Sequence, residues 1–127
     1  MELKRVVVTG LGALTPVGNT VAEAWENLVN GVSGAGPITR FDASKFKTQF
    51  ACEVKNFNVA DFIDRKEARK MDLYAQYAIV AAKEAIEDSA MDLESVDKNK
   101  IGVIFGVGIG GIRTFEEEMI GYAGTKD

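Results

Sequence analysis

The sequence has no histidine, and its 127 residues include a single cysteine, Cys52. Without histidine, this chain by itself cannot form a Ser-His or Cys-His dyad, a histidine proton shuttle or a His-ligated metal site. One cysteine cannot form an internal disulfide, and such sparse cysteine usage favours a reducing compartment. The sequence therefore predicts no metal site and no histidine-based catalysis within these residues.

Long apolar runs and an excess of basic charge are also missing. No apolar stretch approaches the ~18 residues of a membrane span. Lys4 and Arg5 precede an apolar segment, as in a signal peptide, but Thr9, Thr15 and Pro16 interrupt that segment. The formal net charge is −4, whereas nucleic-acid-binding domains present a basic face. We therefore expect a cytoplasmic protein with no membrane insertion and no nucleic-acid partner.

The residues that are present are typical of a globular α/β protein of one domain, since 46% are apolar and 27% are charged. Residues 6–8 and 101–105 are continuous apolar runs rich in β-branched side chains, which predict strands buried on both faces of a parallel sheet. Apolar residues alternate over 50–54, which predicts a short strand. In that strand Cys52 faces inward, as a small buried side chain rather than a reactive thiol.

Start and stop signals predict four helices. Residues 20–23 read T-V-A-E, a capping box, and Asn30-Gly31 ends the first helix. Small residues such as Ala81 and Ala85 lie on the longest predicted helix, and they allow a neighbouring backbone to approach closely. The other predicted segments are a loop at 31–48, a helical region with start signals at Asn58 and Asp64, the longest helix at 71–90 and a last helix from Ile112.

These elements are incomplete as a fold. A strand buried on both faces needs neighbouring strands on both edges, and three predicted strands do not supply them. The last helix also presents an apolar face that needs cover, formed by Ile112, Phe115, Met119 and Tyr122. We therefore expect the chain to be a portion of a larger α/β protein.

Glycines at positions 106, 108 and 111 satisfy G-x-G-x-x-G between a predicted strand and a predicted helix, the context of a dinucleotide-binding fingerprint. The acidic residue expected ~20 positions further on would fall near Asp127, where no strand is predicted. From the residues alone, a tight turn in which backbone packs against backbone is the preferred interpretation. A dinucleotide-binding domain is the alternative.

Lys66, Arg69 and Lys70 form a local basic patch, here called the basic cluster, in a chain that is acidic overall. Their i, i+3, i+4 spacing places them on one face of a helical segment. Such a patch attracts phosphate or an acidic partner through charge-assisted hydrogen bonds. A solvated helix face is the other interpretation that the charges alone leave open.

Several separated motifs together resemble one known family. They are VVVTGLG and TPVGN at 6–12 and 15–19, RKEARKMD at 65–72 and GVGIGG at 106–111. In order and spacing they resemble the N-terminal part of the β-ketoacyl-acyl carrier protein synthases, most closely those that elongate chains in dissociated fatty-acid synthesis. The resemblance covers essentially the whole chain.

The resemblance implies a thiolase-like fold with layered αβαβα architecture and a mixed, largely buried sheet, in which residues 1–127 are the N-terminal portion of a ketosynthase domain. It also implies a homodimer and a decarboxylative Claisen condensation of an acyl-enzyme with malonyl-acyl carrier protein. That chemistry needs an activated cysteine thiolate, oxyanion donors and enolate stabilisation, the last carried by two histidines in the family. None of these catalytic residues has a counterpart here, Cys52 included, so none is carried over, and no cofactor is implied.

Two non-catalytic roles are carried over by the resemblance. The basic cluster, Lys66, Arg69 and Lys70, matches residues that dock the acidic helix of acyl carrier protein. Ile109 matches a residue that lines the acyl-chain pocket near the dimer interface, with Gly108 beside it, and the glycines then serve a tight turn. A non-catalytic module that binds acyl carrier protein is the alternative function, and the dinucleotide interpretation falls away.

Overall fold

The computed structural model describes residues 3–125, which contain four α-helices and one two-stranded sheet. The helices are α1 (Val21–Val29), α2 (Arg65–Ala68), α3 (Leu73–Asp88) and α4 (Ile112–Gly124). The sheet is formed by β1 (Gly36–Pro37) and β2 (Phe50–Ala51), and short 3₁₀ turns cover Val59–Asp61 and Lys98–Lys100. None of these helices has the length and apolar composition that a membrane span needs.

The chain divides into two compact units. The first contains the chain up to Phe57 together with Val80–Val96, and the second contains Asn58–Ile79 together with the chain from Asp97 onward. Helix α1 and the sheet belong to the first unit, α2 and α4 belong to the second, and α3 contributes residues to both. All of the site residues predicted from the sequence therefore belong to the second unit.

Helix α1 is bounded by the signals that the sequence predicts. The Thr20 hydroxyl accepts a hydrogen bond from the Glu23 amide (3.2 Å), and the Glu23 carboxylate accepts one from the Asn19 amide (2.7 Å). The helix ends at Asn30, and Gly31 follows with φ +68°, a left-handed conformation that glycine adopts without steric cost. The predicted cap and stop are confirmed, although Glu23 binds the amide before the cap residue rather than the cap's own amide.

The small residues of α3 let a neighbouring backbone segment pack directly on the helix. A Cβ atom added to Gly10 would lie 2.2 Å from the Ala85 carbonyl oxygen, and one added to Gly12 would lie 1.9 Å from the Ala81 carbonyl oxygen. Because no side-chain carbon fits at these distances, glycine is required at both positions. The predicted close approach of a backbone to the alanines of the long helix is confirmed.

Two carboxylates of α3 bind backbone amides of the first unit. Glu84 accepts hydrogen bonds from the amides of Ala13 and Val21 (2.8 Å each), and Asp88 accepts one from the amide of Leu11 (2.8 Å). These amides are therefore satisfied by helix side chains rather than by a strand ladder.

The two buried strands predicted at 6–8 and 101–105 are not present. Val6 is 91% exposed and Ile104 is 98% exposed, and neither stretch pairs with a strand among residues 3–125. A strand buried on both faces requires partner strands and covering helices, and the described residues supply neither here. Both predictions are wrong for this structure, and the expected mixed, largely buried sheet is not seen among its described residues.

The predicted strand around Cys52 is shorter than expected and faces the other way. Only β2 is extended, and it pairs antiparallel with β1, which lies in a stretch predicted as loop. Ala51 is half-buried, whereas Phe50 and Cys52 are exposed. Because a shift of one residue exchanges the two faces of a strand, the prediction of an inward-facing Cys52 is wrong.

Burial is confined to small side chains in the described part of the chain. The buried apolar residues are Ala24, Ala43, Ala68 and Val80. Helix α4 has the amphipathic pattern predicted for it, and its Arg113 and Glu117 side chains form an ion pair at 2.7 Å. Its apolar side chains are nevertheless exposed, namely Ile112, Phe115, Met119 and Tyr122.

Candidate functional site

The basic cluster lies at the end of a short helix. The Asp64 carboxylate caps α2 by accepting a hydrogen bond from the Lys66 amide (2.8 Å), as the sequence predicts. The helix ends before Arg69, which keeps helical angles (φ −67°, ψ −17°), and the Lys70 amide donates to the Glu67 carbonyl (3.0 Å). Lys70 therefore lies just beyond the helical turn, and not on a helix face as the spacing predicts.

The three side chains of the basic cluster are all exposed, but their surroundings differ. Lys70 Nζ forms an ion pair with Glu67 Oε1 at 2.7 Å. Within residues 3–125, Lys66 and Arg69 have no ion-pair partner. Because an exposed ion pair contributes little stability, Lys70 can exchange Glu67 for another anion at small cost.

The turn that carries the basic cluster is tied to the start of α3. The Gln76 side-chain amide donates hydrogen bonds to the carbonyl oxygens of Ala68 (3.0 Å) and Met71 (3.1 Å). Ala68 is 5% exposed and anchors the same turn. The Ala68 carbonyl also accepts a hydrogen bond from the Met71 amide (3.2 Å). The two bonds from Gln76 fix the position of the turn on α3.

Residues 106–111, here called the glycine turn, lead into α4. Gly111 stands immediately before α4 with φ +75°, and Ile109 has φ +55°. A β-branched residue rarely adopts a positive φ, so the backbone of Ile109 is strained. The Ile109 side chain is 78% exposed, and Gly108 is exposed beside it.

The glycines of the glycine turn differ in what surrounds them. A Cβ atom added to Gly110 would lie 2.9 Å from Tyr74 Cε1, and one added to Gly111 would lie 2.9 Å from Asp72 Oδ2. A Cβ atom added to Gly108 would meet no atom within 4 Å. Close packing of the Val107 and Tyr74 side chains on Gly110, and the positive φ of Gly111 beside the Asp72 carboxylate, account for the last two glycines. These neighbours are side-chain atoms, not the backbone that the tight-turn interpretation predicts, and nothing comparable surrounds Gly108.

The dinucleotide fingerprint lacks its structural context. That fingerprint needs a strand directly before the glycine-rich turn, and residues 101–105 are not a strand here. The structure therefore does not support the dinucleotide-binding alternative.

The first unit contains a cavity of about 230 Å³ beside the turn at residues 15–18. Two of the polar side chains that line this cavity are engaged within the chain. Asn27 Nδ2 donates to the Val17 carbonyl (2.5 Å), and Lys55 Nζ donates to the Gly34 carbonyl (3.0 Å). None of the predicted site residues lines it, so the cavity is separate from the predicted site.

Shifted carboxyl pKa values occur at surface turns of the first unit. The Ser44 backbone amide lowers the pKa of Asp42, and the Thr39 hydroxyl lowers the pKa of Glu53. Each shift has a local hydrogen bond as its main cause, so both groups serve structural contacts. Among residues 3–125, no set of three His, Cys, Asp or Glu side chains is placed to hold a metal ion.

Two residues that the sequence analysis did not single out meet beside the glycine turn. Thr114 Oγ1 donates a hydrogen bond to Asp72 Oδ1, across 42 positions of the sequence. No periodicity signals a contact at this separation. The one signal available was that Asp72 closes the motif at 65–72, directly after the basic cluster.

Comparison with protein families matches residues 3–126 to the family described as "Beta-ketoacyl synthase, N-terminal domain". The chain is 53% identical over 113 residues to the 3-oxoacyl-[acyl-carrier-protein] synthase 2 of Staphylococcus aureus (strain COL), which covers 89% of this chain and 27% of that protein. It is 48% identical over 119 residues to the protein of the same name from Synechocystis sp., covering 94% of this chain and 29% of that protein. The chain thus spans less than a third of the length of these curated relatives.

Two solved structures are also similar. One is the ishigamide ketosynthase/chain length factor, with a TM-score of 0.65 and 37% identity, covering 71% of this chain and 22% of that chain. The other is a type II PKS acyl-carrier protein in complex with its ketosynthase bound to the hexaketide, with a TM-score of 0.60 and 28% identity. This second match covers 77% of this chain and 24% of that chain.

Proposed function

The chain belongs to the β-ketoacyl synthase family, and we propose that the whole protein is a 3-oxoacyl-acyl carrier protein synthase 2. Such an enzyme elongates acyl chains by decarboxylative Claisen condensation of an acyl-enzyme with malonyl-acyl carrier protein. The observation that carries the proposal is 53% identity, over 89% of this chain, to a relative of that name. Residues 1–127 then form the N-terminal portion of a ketosynthase domain, and other parts of the protein supply the catalytic cysteine and histidines.

The proposed role of the basic cluster is to dock acyl carrier protein. Its support is a set of three exposed cations on one short segment of a chain whose net charge is −4. An acidic helix placed against these cations gains charge-assisted hydrogen bonds, and the local positive field raises its association rate. Since the contacts are exposed and screened by salt, we expect carrier-protein binding to weaken as ionic strength rises.

Because Lys70 is paired with Glu67, charge reversal at the three positions of the basic cluster is expected to weaken carrier-protein binding to different extents. Lys66→Glu and Arg69→Glu are expected to weaken carrier-protein binding more than Lys70→Glu, because Lys70 must first leave Glu67. Glu67→Gln removes a negative charge and frees Lys70, so it is expected to strengthen binding about two- to fivefold. A gain on removing Glu67 is difficult to explain unless the partner is anionic.

The docking role is tested in a full-length variant in which all three residues of the basic cluster are replaced by glutamate, so that their charges are reversed. We expect the KM for substrates carried on acyl carrier protein to rise about tenfold or more, and the KM for small pantetheine thioesters to change much less. Lys100→Glu, the same reversal of one charge at an exposed site of the second unit (83% exposed side chain), is the control for each single reversal. Equal losses on both substrate types would contradict docking.

Ile109 and Gly108 are proposed to line the acyl-chain pocket. The support is an exposed apolar side chain on a strained turn, next to a glycine that neither close packing nor a positive φ explains. Gly108→Ala leaves this local backbone without a collision, so it should preserve the fold. A loss of turnover for long acyl chains with unchanged stability would support the pocket role, and unchanged turnover at every chain length would contradict it.

The proposal includes the thiolase-like layered fold and a homodimer, in a cytoplasmic location. The full-length protein would then contain a mixed, largely buried sheet, which the similarity to two ketosynthase structures favours. Hydrogen exchange tests this in the full-length protein, since strand amides would be strongly protected, and light scattering tests the dimer. Carrier-protein binding without any condensation would favour the alternative, a non-catalytic binding module.

A further inference from the structure

Asp72 joins the segment that carries the basic cluster to the glycine turn. Its backbone carbonyl accepts hydrogen bonds from the amides of Ala75 (3.0 Å) and Gln76 (3.1 Å), which begin α3. Its side chain reaches the other segment, where Oδ1 accepts the hydrogen bond of the Thr114 hydroxyl and Oδ2 lies against Gly111. The negative charge of the carboxylate also interacts favourably with the positive end of the α4 helix dipole. Asp72 therefore contacts both the segment that carries the basic cluster and the segment formed by the glycine turn and α4.

The glycine turn is held from the same side by a second contact. The Tyr74 ring lies so close to Gly110 that an added Cβ atom would be 2.9 Å from Tyr74 Cε1. Gly110 and Gly111 are the two residues that follow Ile109. The first turn of α3 thus fixes the backbone immediately after the strained residue.

The contacts of Gly110 and Gly111 maintain the strained backbone conformation of Ile109. A non-glycine residue in the left-handed region persists only where its surroundings over-determine it. Here the surroundings are the contact of Gly110 with Tyr74 of α3 and that of Gly111 with Asp72, the residue before α3. If the hold on this backbone is loosened, Ile109 is free to relax toward a negative φ. That rotation would move its side chain and change the shape of any pocket that it lines.

The basic cluster is in turn tied directly to the start of α3. Gln76 Nε2 donates to the carbonyls of Ala68 and Met71, which flank the last two residues of the basic cluster. The basic cluster, the start of α3 and the glycine turn are therefore linked by a short series of hydrogen bonds and packed contacts. If a partner that binds the basic cluster displaces it, this contiguous set of contacts carries the displacement to the glycine turn.

We propose that Asp72 is a positioning residue that, through Thr114, holds the glycine turn in register with the basic cluster, so that carrier-protein docking and the placement of Ile109 are coupled. This inference rests on the proposed function, because it assigns Ile109 to an acyl pocket and the basic cluster to a carrier protein. What it adds is the connection between the two, made by a residue that touches neither substrate.

The test compares Thr114→Val with Thr114→Ser in the full-length protein. Valine has nearly the shape of threonine but no hydroxyl, whereas serine keeps the hydroxyl that Asp72 binds. The measurement is the ratio of kcat/KM for long and short acyl chains, once on acyl carrier protein and once as pantetheine thioesters. We expect Thr114→Val to change this ratio by about three- to tenfold on carrier-borne substrates and less on pantetheine thioesters, with Thr114→Ser close to the parent.

Unchanged ratios in Thr114→Val on both substrate types would overturn the proposal, and equal changes on both types would overturn the coupling to docking. Amide hydrogen exchange of residues 106–111 supplies a readout that does not depend on activity. Faster exchange in Thr114→Val than in Thr114→Ser supports the hold on the glycine turn, and equal exchange contradicts it. If the parent protein does not condense any substrate, the proposed function fails, and the exchange experiment still decides whether Asp72 positions the turn.

Discussion

Glu84→Ala is expected to lower the free energy of unfolding by about 2–4 kcal/mol. The Glu84 carboxylate accepts hydrogen bonds from the amides of Ala13 and Val21, each at 2.8 Å. It thereby joins an N-terminal segment and the first residue of α1 to α3. Val21 is a helix N-terminal amide with no partner inside its own helix, so the substitution leaves two amides without an acceptor.

The magnitude follows from the two contacts. A hydrogen bond to a charged group contributes about 1.5–3 kcal/mol, so two of them would contribute about 3–6 kcal/mol if fully buried. Glu84 is only half-buried, and water replaces part of what the two amides lose. That partial replacement reduces the expected cost to the 2–4 kcal/mol stated above, roughly two thirds of the buried value.

Glu87→Ala is the matched control, because it makes the same substitution on the same helix. The Glu87 carboxylate forms an ion pair with Lys83 at 3.8 Å, with both side chains exposed. An exposed i,i+4 pair contributes about 0.3–0.5 kcal/mol, so the control should cost several-fold less. Glu84→Gln keeps one acceptor oxygen without charge and should lie between the two alanine variants.

Urea unfolding of the purified protein measures the difference. Far-UV circular dichroism follows the helices, and the fluorescence of Trp25, the single tryptophan, reports on α1. At a slope of about 1–3 kcal/mol per molar urea, the expected change moves the midpoint by roughly 1–2 M. If Glu84→Ala falls within about 0.5 kcal/mol of Glu87→Ala, the argument that these two hydrogen bonds stabilise the first unit is refuted.

Other substitutions in the first unit test separate contacts. Gly12→Ala is expected to cost about 1–3 kcal/mol or more in urea unfolding, because its Cβ atom would lie 1.9 Å from a carbonyl oxygen of α3, whereas Gly36→Ala meets no atom within 4 Å and should be nearly neutral. Thr20→Ala should cost about 1 kcal/mol through loss of the cap, with Thr20→Ser close to the parent. The Thr39 hydroxyl lowers the pKa of Glu53, so this contact stabilises the protein above the usual carboxyl pKa and is lost as the pH falls through the lowered value. Thr39→Val should raise the pKa of Glu53 in an NMR titration, and an unchanged pKa would count against the contact.

Signals contained within one helical turn predicted the helices well. The T-V-A-E run at residues 20–23 carries its own cap, and Asp64 caps α2 through an amide two positions away. Such contacts involve residues close in sequence, so they form from local geometry alone. The basic cluster was also found from local spacing, although α2 ends at Ala68, before Arg69 and Lys70.

Strands were predicted poorly because the energy of a strand comes from its neighbours. Residues 6–8 have strong β propensity, but propensity is expressed only where another strand and a covering layer are available. The described chain offers neither, so Val6 and Ile104 remain exposed. At Cys52 the alternation was correct as a pattern, and the pairing with β1 decided which face points inward.

Sequence alone determined the start and end of α1, the cap of α2, the basic cluster, the glycine turn and, through its motifs, the family. Only the tertiary structure decided that Glu84 binds amides 63 and 71 positions away, and that Asp72 meets Thr114 across 42 positions. Local elements follow from interactions between near neighbours along the chain, whose geometry the sequence specifies directly. Long-range contacts depend on which elements pack together, and that packing is a property of the folded molecule as a whole.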